Sequence, residues 1–108
     1  LTAMADIILS LEVKLRQLDL WDSAAPSDQA LSSPQPFCYD TLAFQQWLQW
    51  IFIPRMKQLI EQGGPLPGQS LISPMAEEFL EIEETEKKHV VELLERFDQL
   101  VNGHYEDK

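Results

Sequence analysis

Residues 44–60, FQQWLQWIFIPRMKQLI, limit what this chain can become more than any other stretch. Laid out at about 100° per residue, Phe44, Trp47, Leu48, Ile51, Phe52 and Leu59 share one broad apolar face. Gln46, Gln49 and Lys57 mark the opposite side, and Trp50 and Ile53 fall at or beyond the edge of that polar side. A helix apolar over so much of its circumference is either central in a bundle or carries a docking patch. Pro54 sits inside it. Proline has no N–H to give the carbonyl of Trp50, and its ring crowds that turn, so a kink or a break is expected there. In an unbroken helix Arg55 would point into the apolar face. A buried guanidinium needs a partner. Asp40 and the Glu77/Glu78 pair are the candidates, with stacking on a tryptophan as a further option. Otherwise the kink must swing Arg55 outward. The functional alternative is that Arg55 holds an acidic or phosphorylated ligand.

The other elements follow from spacing. Met4, Ile8, Leu11, Leu15 and Leu18 recur at intervals of four and three, which predicts a first helix over residues 3–20. Residues 22–39 contain Pro26, Pro34 and Pro36 and no period, so they read as a long loop whose aromatic end, Phe37 and Tyr39, packs down. The second helix is expected over 40–62. Asp40 would cap it, Tyr39 and Phe44 are placed to form a hydrophobic staple, and Gly63 would close it. Ser73 and Pro74 predict a third helix over 74–82. Val90, Leu93, Phe97 and Leu100 predict a fourth over 85–102, with Glu83–Lys87, Glu84–Lys88 and Glu92–Arg96 as supporting pairs. The fold class is therefore all-α: a small antiparallel bundle of about four helices in a single domain of 108 residues, the second helix kinked at Pro54.

Charge excludes one class of partner. Eight Lys and Arg face eighteen Asp and Glu, a net charge of −10. Nucleic-acid binding draws most of its affinity from neutralising phosphates, so direct binding to DNA or RNA is disfavoured and a basic protein partner is favoured. No apolar run is long enough for a membrane span. The start lacks the basic region of a signal peptide. With Cys38 the only cysteine, a cytoplasmic location is expected.

Catalytic chemistry is hard to find. His89 and His104 on one helix would stand about 22 Å apart, too far to share a metal. The glutamate-rich run 77–86 reads as a solvated face. No phosphate-binding loop or nucleophile arrangement is present, so neither a cofactor nor an enzymatic role is expected.

Four segments in this order and spacing, PQPFCYDT, WLQWIFIPRM, PLPG and SPMAEEFL, resemble the bacterial YqcC-like family over nearly the whole chain. The resemblance implies an all-helical fold and marks Pro36, Phe37, Asp40, Trp47, Trp50, Pro54, Arg55, Met56, Pro65 and Pro67 as signature positions. It implies no catalytic residues, because the family is a domain of unknown function. Its genes often lie beside that of tRNA pseudouridine synthase C, whose name some members carry. Such a synthase needs a catalytic aspartate on a large mixed α/β scaffold, and this chain is too short and too helical for that.

Two functional readings result. The first is a non-enzymatic interaction module whose docking surface is the kinked helix, with Trp50 and Ile53, flanked by the proline-rich loops 34–37 and 65–68. Its partner would be a basic protein, such as the neighbouring RNA-modifying enzyme. The second is a small-molecule or enzymatic pocket lined by Phe37, Tyr39 and Trp47 with Arg55 at its base. Self-association through the same patch is a third use of that surface.

Overall fold

The computed structural model describes residues 2–63 and 69–103, and all its regular structure is helical. The one-sided stripe at the start forms α1, Thr2–Gln17, with Met4, Ile7, Ile8, Leu11 and Leu15 buried. It ends three residues earlier than expected. Asp19 takes a left-handed conformation, and Leu20 N–H donates back to the Leu15 carbonyl at 2.9 Å, closing the helix end.

The stretch read as a long loop is better structured than its composition suggests. Ser27 caps a single turn, α2 (Asp28–Leu31), by accepting from Ala30 N–H at 3.1 Å, and Pro36–Cys38 forms a 3₁₀ turn. Asp40 does not cap a helix. Its carboxylate accepts from the Ser33 hydroxyl at 2.5 Å, and the Thr41 hydroxyl donates to the Ala30 carbonyl at 2.7 Å. These bonds hold the segment in turns, so the next helix begins later, at Phe44, after Ala43. The Gln46 side chain reaches back to accept Ala43 N–H at 2.9 Å, supplying half of a capping box. The expected Tyr39–Phe44 staple is lost with the shift.

The helix then runs through residues 44–62 as α3 (Phe44–Trp47), a π turn (Leu48–Phe52) and α4 (Ile53–Gln62). The disturbance expected at Pro54 takes this form. Ile53 N–H bonds to the Leu48 carbonyl, five residues back, and the widened turn makes room for the proline ring. One residue is in effect inserted, so every later side chain lags by about 100°. That lag returns Ile53 and Met56 to the face of Phe44, Leu48 and Phe52, and all five are buried. It also turns Arg55 from the core to solvent, where it is exposed and has no carboxylate in ion-pair range among the described residues. Gly63, at φ 63°, closes the helix as expected.

Helix α5 (Ile72–Phe79) starts two residues early and α6 (Glu84–Val101) one residue early. Neither Ser73 nor Pro74 sets the start of α5. Asp98 of α6 does, from across the bundle. Its carboxylate accepts Ile72 N–H at 3.1 Å, Ser73 N–H at 2.9 Å and the Ser73 hydroxyl at 2.8 Å, together with the Ser70 hydroxyl. Asn102 adds a reciprocal pair with the backbone of Ser70, at 2.9 and 2.8 Å. The three pairs expected along α6 are not in ion-pair range among the described residues. Lys14 of α1 reaches Glu86 instead, at 2.9 Å. One core joins α1, α3–α4, α5 and α6, with Val90, Leu94 and Phe97 at its centre.

Glu12 ties α1 to α4. It takes Lys57 Nζ at 2.8 Å and Arg16 at 2.9 Å. The Lys57 hydrogen bond holds its carboxyl below the usual glutamate range, against the opposing pull of burial. A depressed folded-state pKa means stability that is present at neutral pH and lost as the pH falls through it. Glu12→Gln should therefore flatten the acid limb of a stability-against-pH curve below about pH 4.3, the ordinary glutamate value. Urea midpoints at several pH values test this, and an unchanged acid limb would show that Glu12 does not couple to folding.

Candidate interaction corner

Several of the signature residues fall in two places. At the first, the 3₁₀ turn Pro36–Cys38 meets the end of α5. Pro36 is exposed and opens the turn. Phe37 and Cys38 both carry left-handed backbone, φ 57° and 50°, which costs non-glycine residues on the order of 1–3 kcal/mol each. The strained turn drives Phe37 inward, edge-on to Trp47 at 4.7 Å and tilted against Phe44 at 5.9 Å. Trp47 passes this packing on to Phe52 at 5.5 Å, and Phe52 meets Phe97 of α6 at 4.9 Å. Phe37 and Trp47 thus anchor the corner to the core.

The same turn sends Tyr39 outward. Its ring lies nearly parallel to that of Phe79, 9° between planes and 6.5 Å between centroids, and the two side chains are 56% and 43% exposed. Below them is a concavity of ≈ 290 Å³ lined by Phe37, Tyr39, Leu42, Phe44, Phe79 and Glu81, with Ala43 and Gln45 on its rim. Glu81 lines it, and Asp40, Glu77, Glu78 and Glu84, each within three residues of a lining residue along the chain, are exposed as Glu81 is. None of them is in ion-pair range of a cation among the described residues. No Lys or Arg occurs between Arg16 and Arg55 or between Lys57 and Lys87, so both segments that build the corner are free of positive charge.

The second place is an open groove of ≈ 730 Å³ lined by Trp21, Asp22, Gln49, Trp50, Ile53, Pro54 and Lys57, with Arg16 at its edge. Ile53 is 1% exposed and belongs to the core, contrary to its expected place on a docking surface. Trp50 is half-buried, and its indole N–H has no hydrogen-bond partner among the described residues. Gln49 is buried and clamps the backbone of Asp22 with two bonds of 2.8 Å. Arg16 stacks on Trp21 at 4.5 Å, but Arg16 and Lys57 both lean on Glu12, which offsets much of their charge.

Arg55, which the π turn faces to solvent, lines neither concavity, so among the described residues neither is the expected pocket with Arg55 at its base. Asp40 lies beside the corner without lining it. Pro65 and Pro67 lie outside the described residues, as does His104. Phe79, Glu81 and Asp98 were missed from the sequence. For Phe79 the available signal was an aromatic residue amid glutamates; for Asp98 it was a carboxylate on an apolar stripe.

Together these features define a small all-helical bundle with an acidic, aromatic corner. A domain-family model described as "tRNA pseudouridine synthase C" matches residues 3–100. An uncharacterized protein of Haemophilus influenzae is 39% identical over 93 residues, covering 86% of this chain and 87% of that protein. The uncharacterized protein YqcC of Escherichia coli is 35% identical over 91 residues, 84% of each chain. The solution NMR structure of E. coli YqcC superposes with a TM-score of 0.79, covering 100% of this chain and 95% of that one at 31% identity. The chain belongs to the YqcC-like family. A Pectobacterium carotovorum protein named tRNA pseudouridine synthase C is 37% identical over 60 residues, 56% of this chain but 16% of that protein. No helix among the described residues is long and apolar enough to cross a membrane.

Proposed function

We propose that this protein is a non-enzymatic interaction module that docks a protein partner on the Tyr39–Phe79 corner. The observation that carries the reading is two stacked, exposed aromatic rings over a concavity whose carboxylate, Glu81, has no cation paired to it among the described residues. Exposed aromatic pairs on a rigid base make strong contacts with little ordering cost. The base is rigid because Phe37 and Trp47 tie it to the core. The concavity, at ≈ 290 Å³, falls at the bottom of the roughly 300–1,000 Å³ range of small-molecule sites, and suits one inserted side chain better than a whole metabolite. Among the described residues, Asp98 caps α5, Cys38 is buried, and His89 sits beside Glu86.

The partner in this reading is an RNA-modifying enzyme of the tRNA pseudouridine synthase C kind. Two findings support it. The family carries that enzyme's name, and a related segment occupies only 16% of a longer protein so named. The name then belongs to the company the module keeps.

The test is sedimentation of the purified protein with the purified synthase from the same genome, at low and physiological salt. A complex is expected, weakened more than about tenfold by Tyr39→Ser/Phe79→Ser together. The melting temperature of the double variant should stay within a few degrees, since both rings are largely exposed. A complex indifferent to the double substitution, or no complex at micromolar concentrations, overturns the reading. A dimer of this chain that disappears in the double variant would reassign the corner to self-association.

A further inference from the structure

We infer that the concavity beneath Tyr39 and Phe79 is a receptor for an arginine side chain presented by a basic segment of the protein partner. The inference rests on the interaction-module reading and specifies what enters the corner.

The chemistry of the lining sets the choice. Tyr39 and Phe79 present nearly parallel rings with exposed surface, and a planar guanidinium lies flat on such faces by cation–π attraction. Glu81 lines the same concavity with a carboxylate free of ion pairs among the described residues, able to take a two-pronged guanidinium fork. Leu42, Phe37 and Phe44 are apolar members of the lining, beside which the methylene stem of arginine can pack. Lysine matches less well. Its compact ammonium is strongly hydrated and neither stacks nor forks.

Charge decides the sign of the occupant. The two segments that build the opening carry Asp40, Glu77, Glu78 and Glu84, all exposed, besides Glu81, and contain no Lys or Arg. Such a field repels acidic segments, draws basic ones and weakens with added salt. The Trp21–Trp50 groove lacks this selectivity, since Glu12 and Asp22 accompany its cations.

The experiment is a ¹⁵N chemical-shift titration of the full chain with three blocked hexapeptides: hexa-arginine, hexa-lysine and hexa-citrulline, the last isosteric with arginine but neutral. Hexa-arginine should shift amides of residues 37–45 and 79–81, and hexa-citrulline should not. Hexa-lysine should bind at least about threefold more weakly. Tyr39→Ala and Glu81→Gln should each weaken hexa-arginine by about five- to tenfold, with a fold confirmed by the unchanged spectrum of α1 and α6. Equal binding of lysine and arginine with shifts spread over α5 and α6 would mean diffuse electrostatics and overturn the inference. Shifts centred on Trp21 and Trp50 would overturn it too. If the synthase complex depends on Tyr39 and Phe79 while hexa-arginine fails to bind, the module stands and the arginine receptor falls. If hexa-arginine binds but no synthase complex forms, it is the choice of partner that fails.

Discussion

Asp98→Ala should lower the unfolding free energy by about 3 kcal/mol, because four donors, two in buried and two in part-buried hydrogen bonds, lose their acceptor at once. In a domain of this size that corresponds to a fall of about 15 °C in the melting midpoint. The four donors are two hydroxyls and two backbone N–H groups at the exposed end of α5, where a carboxylate is also favoured by the helix dipole. Asp98→Asn should recover only part of the loss, since its amide nitrogen would face another donor at Ser70 or Ser73. Circular dichroism melts measure the size. Hydrogen exchange locates it, with the amides of Ile72 and Ser73 expected to lose protection first. An alanine variant that melts within a few degrees of the parent would show that this latch adds nothing to stability.

The second large effect concerns the phase of the helix after Pro54. Ile53→Ala should cost about 3 kcal/mol, the usual loss for truncating a fully buried isoleucine. Arg55→Ala should change stability by less than about 0.5 kcal/mol, as for a solvent-facing side chain with no fixed partner. A helix without the π turn predicts the reverse order, with Ile53 on the polar side and Arg55 against the core. Urea unfolding of the two variants decides between the geometries. Near-neutral Ile53→Ala beside a severe Arg55→Ala would rule out the inserted residue and restore the pocket that places Arg55 at its base. The comparison also bears on function. A structural Ile53 cannot be the tip of a docking surface, so the surface expected on the kinked helix would rest on the half-buried Trp50 without it.

The sequence by itself determined where the longer helices lie, to within about four residues at their ends, and which face of α1 and α6 turns inward. Met4, Ile8, Leu11 and Leu15 are buried as their spacing requires, and so are Val90 and Phe97, while Leu93 and Leu100 of the same stripe are part-buried against the core. The physical reason is that a one-sided apolar stripe has one low-energy placement, against other stripes. Gly63 was equally legible, since a left-handed helix end selects residues without a Cβ. Helix starts were less so. Asp40 is chemically a good cap, but Ser33 takes its carboxylate and the strained turn at Phe37 and Cys38 delays the helix to Phe44.

Only the tertiary structure decided the rest. Proline announced a disturbance but not its form, because a break, a bend and a wide turn all relieve the same clash. The wide turn prevails here: it returns Ile53 and Met56 to the core and releases Arg55 from it. Asp98 was visible as a carboxylate on an apolar stripe, but its partners come from the start of another helix. Tyr39 and Phe79 lie far apart along the chain, in segments whose local patterns make no reference to each other. The packing of α5 on α6 and of the Phe37 turn on Trp47 brings them together, and so sets which aromatic rings reach solvent.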